Sequence, residues 1–478
     1  MSGQWLHKGG LLLGCFWVAM GSASAQALQT LQVTRLAVQA RAEVPELSCA
    51  APVAARKTPA QPEQESPVPP DAQEVQAQVM QEGPMALPLA VEPPGGRWLS
   101  PRTGLPLRVG LWGDSHLAAG FFSTELGRQL QLEAEQVQPR WLPATMGRAG
   151  VRLPLRKSCV TGGWRYEPAH ADPRWAASAG PAMVSMSAAT PGASLAWDLR
   201  LGDGRAERQQ VRLLYQQTEA PVQLALRVDE GEPQILNLQG PAGPAVLELQ
   251  GDAPLSTVRL ELLQGRWRWH ALELPMLPTT RLQLDVFGYP GATVAGWKYA
   301  DSDEQQVWWR GDDYDLVALA FGTNEGNVQP FDAAAYASTL RAAVRVWRAR
   351  FAASACVLIG PGDRGVLVSR SSKKSRKGSK SAAKPFRVDL LRFTRVHAEI
   401  NRLQQLVAQE QGCRFWSAFQ AMGGAGGAYR WQARQPALMA RDLIHFTVPG
   451  YQQLARQFAS DMGWQPTLLE TSAPAARP

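Results

Sequence analysis

The sequence has no Cys-x-x-Cys pair and no His-x-His pair, which speaks against a structural zinc site. Histidine is scarce, with six in 478 residues, so few side chains can exchange protons near neutral pH. Long apolar runs are scarce too. Beyond the N terminus no stretch approaches ~18 uninterrupted apolar residues, and the mature chain is expected to be soluble. Charged residues make up only 19% and hydrophobic residues 45%, which excludes a chain disordered over its whole length. A basic fold for nucleic acid is excluded as well. The net charge is +8, but residues 369–384 alone carry seven basic side chains and no acidic ones. The rest of the chain is close to neutral.

What is present divides the chain. Residues 1–25 read as a secretory signal: His7 and Lys8, the apolar run 11–20, then Ala23-Ser24-Ala25 as a cleavage site. The alternative is a lipoprotein signal with Cys15 lipidated. Either reading implies a periplasmic or secreted protein. Cys49, Cys159, Cys356 and Cys413 remain, with three pairings open. Cys356 and Cys413 sit in apolar, strand-like segments that neighbouring strands could bring together; buried free thiols are the equal alternative. Residues 26–97 read as a low-complexity extension and linker, of which 50–97, rich in Pro, Ala, Gln and Glu, is expected to be flexible and 26–49 is left open.

The segment 105–114 reads as a buried strand that feeds directly into a helix, the start of a doubly wound α/β unit. That regime covers 98–149. From 150 to 279, alternating apolar and polar residues punctuated by Gly, Pro and Asp imply many short strands, a β-sandwich of jelly-roll type. It holds Trp164, Trp175, Trp197, Trp267 and Trp269. Strand and helix patterns resume over 280–466, with a tail at 467–478. The β-sandwich is therefore expected to be inserted into an α/β domain. Residues 369–384 read as a solvated loop within it. The alternative is an electrostatic clamp on an anionic wall polymer or membrane surface.

Four short segments could carry chemistry, and each is weak alone. In Gly113-Asp114-Ser115-His116, Ser115 stands where a strand ends and a helix begins. Free N–H groups there can meet a developing oxyanion, although an N-cap serine is the common reading of such letters. Ser115 needs a base. His7 leaves with the signal, and His170 and His270 lack an acid at useful spacing. His116 is expected to point away from Ser115, and His397 reads as a helix surface residue. His445 follows Asp442 by three residues, a spacing that lets the carboxylate reach Nδ1–H and leaves Nε2 free. Asn324, in Gly322-Thr323-Asn324-Glu325 after an apolar strand, can offer an amide N–H. Gly291 can offer a backbone N–H with no side chain in the way.

In their common order at strand ends, these blocks resemble the SGNH (GDSL) hydrolase family over about 105–145 and 280–465. The matching positions are Gly113-Asp114-Ser115, Gly291 with Thr293, Gly322-Thr323-Asn324, and Asp442 with His445. The resemblance implies a flavodoxin-like three-layer α/β hydrolase with no cofactor and no metal. It implies Ser115 as nucleophile, His445 as base and Asp442 as its orienter. Ser115 and Gly291 N–H groups and the Asn324 amide would form the oxyanion hole.

A narrower resemblance is to Gram-negative peptidoglycan O-acetylesterases, which carry a carbohydrate-binding-like β-sandwich between the serine and glycine blocks. The segments around Asp114-Ser115-His116, Gly322–Glu325, Gly360–Arg364 and Ala421–Gly424 are similar. The basic 369–384 segment and the long Pro-rich extension depart from that pattern. The implied activity is removal of O-acetyl groups from a cell-wall glycan such as peptidoglycan. Two alternatives stay open: acetyl transfer with the same triad, and a non-catalytic wall-binding scaffold built on the Trp-rich insert.

Overall fold

The computed structural model describes residues 29–38, 44–49, 67–92, 98–99, 105–300, 305, 307–309, 314–369 and 388–470. The signal segment with Cys15, the basic run beyond Ser369 and the tail from 471 lie outside the described residues.

Five parallel strands make the frame: β1 (Leu107–Gly113), β2 (Leu282–Gly288), β3 (Leu316–Ala320), β4 (Ala355–Gly360) and β5 (Arg414–Ser417). Their spatial order is β2-β1-β3-β4-β5. Val137–Gln138 extends the β2 edge in parallel, and Ala90–Val91 closes the β5 edge antiparallel. This is a doubly wound order, with its switch point between β1 and β3. The strands are near-continuous apolar runs because both faces are covered. Leu107, Val109 and Leu111 of β1 share one core with Phe122 and Phe458. These belong to helices α2 (Phe121–Gln129) and α5 (Val448–Asp461). Trp112 faces the other way, stacked on Phe287 at 4.8 Å and edge-on to Trp347. Helices α3 (Ala333–Arg350) and α4 (Arg392–Glu410) cover that face.

Between β1 and β2 in sequence the chain builds two more sheets. One contains Gln210–Gln217, Gly243–Gly251 and Trp267–Glu273; the other contains Val222–Val228, Thr257–Gln264 and Ser194–Asp198. Pairing among these strands is antiparallel. Trp197, Trp267 and Trp269 are core residues, whereas Trp164 and Trp175 are half-buried. This unit shares a continuous core with the α3/α4 side of the parallel sheet.

Three expectations need correction. The boundary at 150 is too late: Trp141–Pro143 already pairs with Trp267–Glu273. The handover is fixed by buried Asp285 of β2, which accepts the N–H groups of Arg140 (2.7 Å) and Trp141 (2.8 Å). Second, the 26–97 stretch is not wholly a flexible linker. Gln29–Leu36 adds a parallel strand to Gly243–Gly251, and Cys49 is bonded to Cys159. Asp71 caps the helix Ala72–Glu82, whose Val75 is buried with Tyr429 and Leu443. Composition misses this because the segment folds on surfaces supplied by distant residues rather than on a core of its own. Third, His397 is buried in α4, not exposed. Its Nδ1 lies 2.7 Å from the Gly362 carbonyl, and burial lowers its pKa to about 4.

The open question over Cys356 and Cys413 has a direct answer: they form a disulfide joining β4 to the residue that leads into the adjacent strand β5.

Candidate active site

The sheet register brings three of the four segments to one edge. Gly113 is level with Gly288 of β2 and with Ala320 of β3. Three parallel strands therefore end together, and the loops carrying Ser115, Gly291 and Asn324 leave from neighbouring points. Gly288 is required by a close approach. A Cβ there would lie 2.7 Å from the Ala118 nitrogen, in the short helix α1 (Ser115–Ala118). Asp114 caps that helix, its carboxylate accepting the His116 N–H at 2.9 Å.

The fourth segment comes from the far end of the chain. Thr447 caps α5, its Oγ1 accepting the Gly450 N–H, so the helix starts only after His445. His445 is thereby left in a loop, with Nε2 3.0 Å from Ser115 Oγ. On the other side of the ring, Nδ1 lies 2.7 Å from Asp442 Oδ2. Asp442 Oδ1 accepts the N–H groups of Ile444 (2.9 Å) and His445 (3.0 Å). Burial would raise the Asp442 pKa, but the hydrogen bonds from His445 and Ile444 outweigh it and hold it below the usual value. An ionised Asp442 accepts from Nδ1–H, so Nε2 is the acceptor facing the Ser115 hydroxyl. The tight loop needs Leu443 in the left-handed region (φ 57°), with its side chain fully buried.

The oxyanion candidates are tied to one another. Asn324 donates one amide hydrogen to the Ala292 carbonyl at 2.8 Å, which leaves its second hydrogen. Gly291 has φ +80°, and nothing lies within 4 Å of where a Cβ would stand. The N–H groups of Ser115 and Gly291 donate to no described residue.

Glu325 completes this arrangement, a role the sequence reading did not give it. Oε1 accepts the Val294 N–H at 2.8 Å and Oε2 the Gly322 N–H at 3.0 Å. One carboxylate thus joins the Gly291 loop to the Asn324 loop. Burial pushes its carboxyl up to about 7, against the lowering effect of those hydrogen bonds. No local signal in the sequence gives it this role, since the two N–H groups it accepts stand on separate loops.

The other described histidines do not meet Ser115 Oγ in this way. His116 directs Nδ1 to Tyr451 OH at 3.2 Å, and its ring centre lies 5.4 Å from that of His445. Burial lowers its pKa. His170 stacks on Tyr289 at 4.8 Å, and His270 is buried against Ser185 Oγ at 2.8 Å. A broad groove passes beside α1. Its walls include Ala118, Tyr289 and Gln452, and Arg152 and Arg200 from the β-rich unit.

With this geometry in place, residues 262–453 match the model described as the GDSL-like Lipase/Acylhydrolase family. The matched range contains Gly291, Asn324, Asp442 and His445 but not Ser115. No curated protein sequence matches the chain. Among solved structures, one titled "Peptidoglycan O-acetylesterase in action, 5 min" is similar, with TM-score 0.56 and 21% identity over 77% of this chain and 93% of that one. A putative GDSL-like lipase from Parabacteroides merdae has TM-score 0.27 and 14% identity, over 39% and 75% of the two chains. A family two carbohydrate esterase from Cellvibrio japonicus has TM-score 0.24 and 12% identity, over 68% and 98%.

Proposed function

We propose that this protein, whose residues 262–453 match the GDSL-like lipase/acylhydrolase model, is an SGNH-type ester hydrolase that removes O-acetyl groups from peptidoglycan through an acetyl-serine intermediate. The observation that carries the proposal is the linked pair of contacts, Ser115 Oγ to His445 Nε2 at 3.0 Å and His445 Nδ1 to Asp442 Oδ2 at 2.7 Å.

In this mechanism Ser115 Oγ attacks the acetyl carbonyl as its proton passes to His445 Nε2. Asp442 holds the imidazole in the useful tautomer and stabilises the imidazolium. The N–H groups of Ser115 and Gly291 and the free hydrogen of Asn324 receive the oxyanion. The tetrahedral species collapses, the C–O bond to the sugar breaks, and His445 returns its proton to the leaving alcohol. Water repeats the sequence on the acetyl-serine and releases acetate. No step calls for a metal or an organic cofactor.

The glycan part of the proposal draws on three supports. The similar solved structure bears the name of a peptidoglycan O-acetylesterase. The groove beside α1 runs onto the β-rich unit, which we read as an inserted carbohydrate-binding-like β-sandwich of 141–273. Two disulfides suit an oxidising compartment, in keeping with the secretory signal expected at 1–25 and a periplasmic substrate.

The test is acetate release from O-acetylated peptidoglycan, with acetylated xylan as the control. Release from peptidoglycan that is lost in Ser115→Ala supports the proposal. Equal activity of Ser115→Ala, or release from xylan alone, overturns it.

A further inference from the structure

The loop after β4 places an arginine between the two halves of the site. Gly365 donates its N–H to the Leu443 carbonyl at 3.0 Å, and Leu443 lies between Asp442 and His445. The neighbouring Arg364 donates from its guanidinium to Asn327 Oδ1, three residues after Asn324. Arg364 therefore bridges from the acid–base loop to the amide loop at the rim of the site.

Arg364 is not alone. Its guanidinium lies over the Phe393 ring at 4.1 Å, and that of Arg392 lies 4.8 Å from the same ring. Neither arginine forms an ion pair with a described residue. Of the carboxylates around them, Glu82 and Asp389 pair with Arg395 and Asp442 with His445, while buried Asp363 accepts the Ala428 N–H and forms no ion pair with either arginine. The adjoining residues 370–387 contain no Asp or Glu that could serve. Arg364 Nε is buried and meets no hydrogen-bond acceptor among the described residues. A buried donor without a partner is costly, and two like charges beside one ring add to that cost. Burial and then the charge of Arg392 depress the Arg364 pKa, opposed by Asp442. A planar guanidinium fork with unused donors is matched best by a carboxylate.

We infer that Arg364, assisted by Arg392, is a carboxylate-binding subsite at the rim of the esterase site, and that the sugar it selects bears an acidic substituent near the acetyl ester. This inference rests on the esterase reading. It deepens it by naming the substrate feature that is recognised.

The test compares two forms of one substrate. Soluble O-acetylated peptidoglycan fragments are used with free carboxylates, or with those carboxylates converted to methyl amides. The readout is the ratio of kcat/KM for acetate release from the two forms. The wild type is expected to prefer the free acid by on the order of tenfold or more. Arg364→Gln brings the ratio close to one, and Arg364→Lys retains part of it. Because the ratio is taken within one variant, a general loss of activity does not imitate the effect. If Arg364→Gln does not fold, the exposed Arg392→Gln carries the same test, with a reduced ratio expected. A wild-type ratio of one, or a ratio undiminished in these Gln variants, overturns the subsite alone. A wild type that releases acetate from neither form overturns the esterase reading and the subsite with it.

Discussion

Ser115 Oγ and His445 Nε2 lie 3.0 Å apart although 330 positions separate them in the chain. The contact exists because β1 ends level with β2 and β3 while Thr447 stops α5 from absorbing His445. In the proposed mechanism, removing either partner removes the proton transfer that makes the hydroxyl a nucleophile. Ser115→Ala and His445→Ala are each expected to lower kcat on a chromogenic acetyl ester by about 10⁴–10⁶-fold. Combining them should cost little more than either alone, since they act as one unit.

Asp442→Asn keeps the shape of the loop but replaces an acceptor facing Nδ1–H with an ambiguous amide. The pair is partly solvated, with side-chain exposures of 44% for Asp442 and 42% for His445. Water can stand in for part of the carboxylate's effect. The expected loss in kcat is therefore about 10²–10⁴-fold, at or below the range of a fully buried triad acid. A full pH–rate profile checks it, and activity within twofold of wild type would show that Asp442 does not orient the imidazole.

Asn324→Ala removes the bond to the Ala292 carbonyl and, in the proposed mechanism, a donor to the oxyanion. A drop of about 10²–10³ in kcat is expected, with a smaller change in KM, because the donor matters most once charge develops. Steady-state kinetics with a neutral ester separates the two constants.

Glu325 gives a pH dependence whose sign can be worked out. Its folded pKa is raised from 4.5 to about 7, chiefly by burial. Below the unfolded value the group is protonated in both states and costs nothing. As pH rises through this window the unfolded chain releases its proton first, so stability falls, and the full penalty stands above pH 7. Glu325→Gln does not titrate. The Tm of the variant minus that of the wild type should therefore rise between pH 4 and pH 8. Thermal melts across that range decide it, and a flat or falling difference refutes the assignment. The variant should also lose kcat, since one of the two loop N–H groups then faces an amide.

The Cys356–Cys413 disulfide closes a loop with a sequence separation of 57 between neighbouring strands under the site. Replacing both cysteines by alanine should cost about 2–4 kcal/mol. Denaturant unfolding measures this directly, and a variant as stable as the wild type would show that the bond constrains little.

The parallel strands could be read from the sequence because a strand buried on both faces must be an unbroken apolar run, as in Leu316–Ala320 and Ala355–Gly360. The Asp442–His445 contact was legible for a similar reason: three residues of chain in one loop limit how far apart the two side chains can be. Glu325 was not legible in the same way. Its two acceptors serve N–H groups on separate loops, and nothing local marks it as different from a solvated glutamate. His397 misled because charged neighbours along a helix do not report which face meets the Gly362 carbonyl.

By itself, the amino-acid order determined which residue types stand at the strand ends and which segments could be buried, since periodicity and chain stiffness act over a few residues. Only the tertiary structure decided which of those ends meet. It fixed the level register of Gly113, Gly288 and Ala320, the pairing of four cysteines, the folding of 29–36 onto a remote sheet, and the burial of Arg364 Nε away from any acceptor among the described residues. These depend on long-range packing and on the dehydration of particular polar groups, which arise only when distant surfaces close on one another.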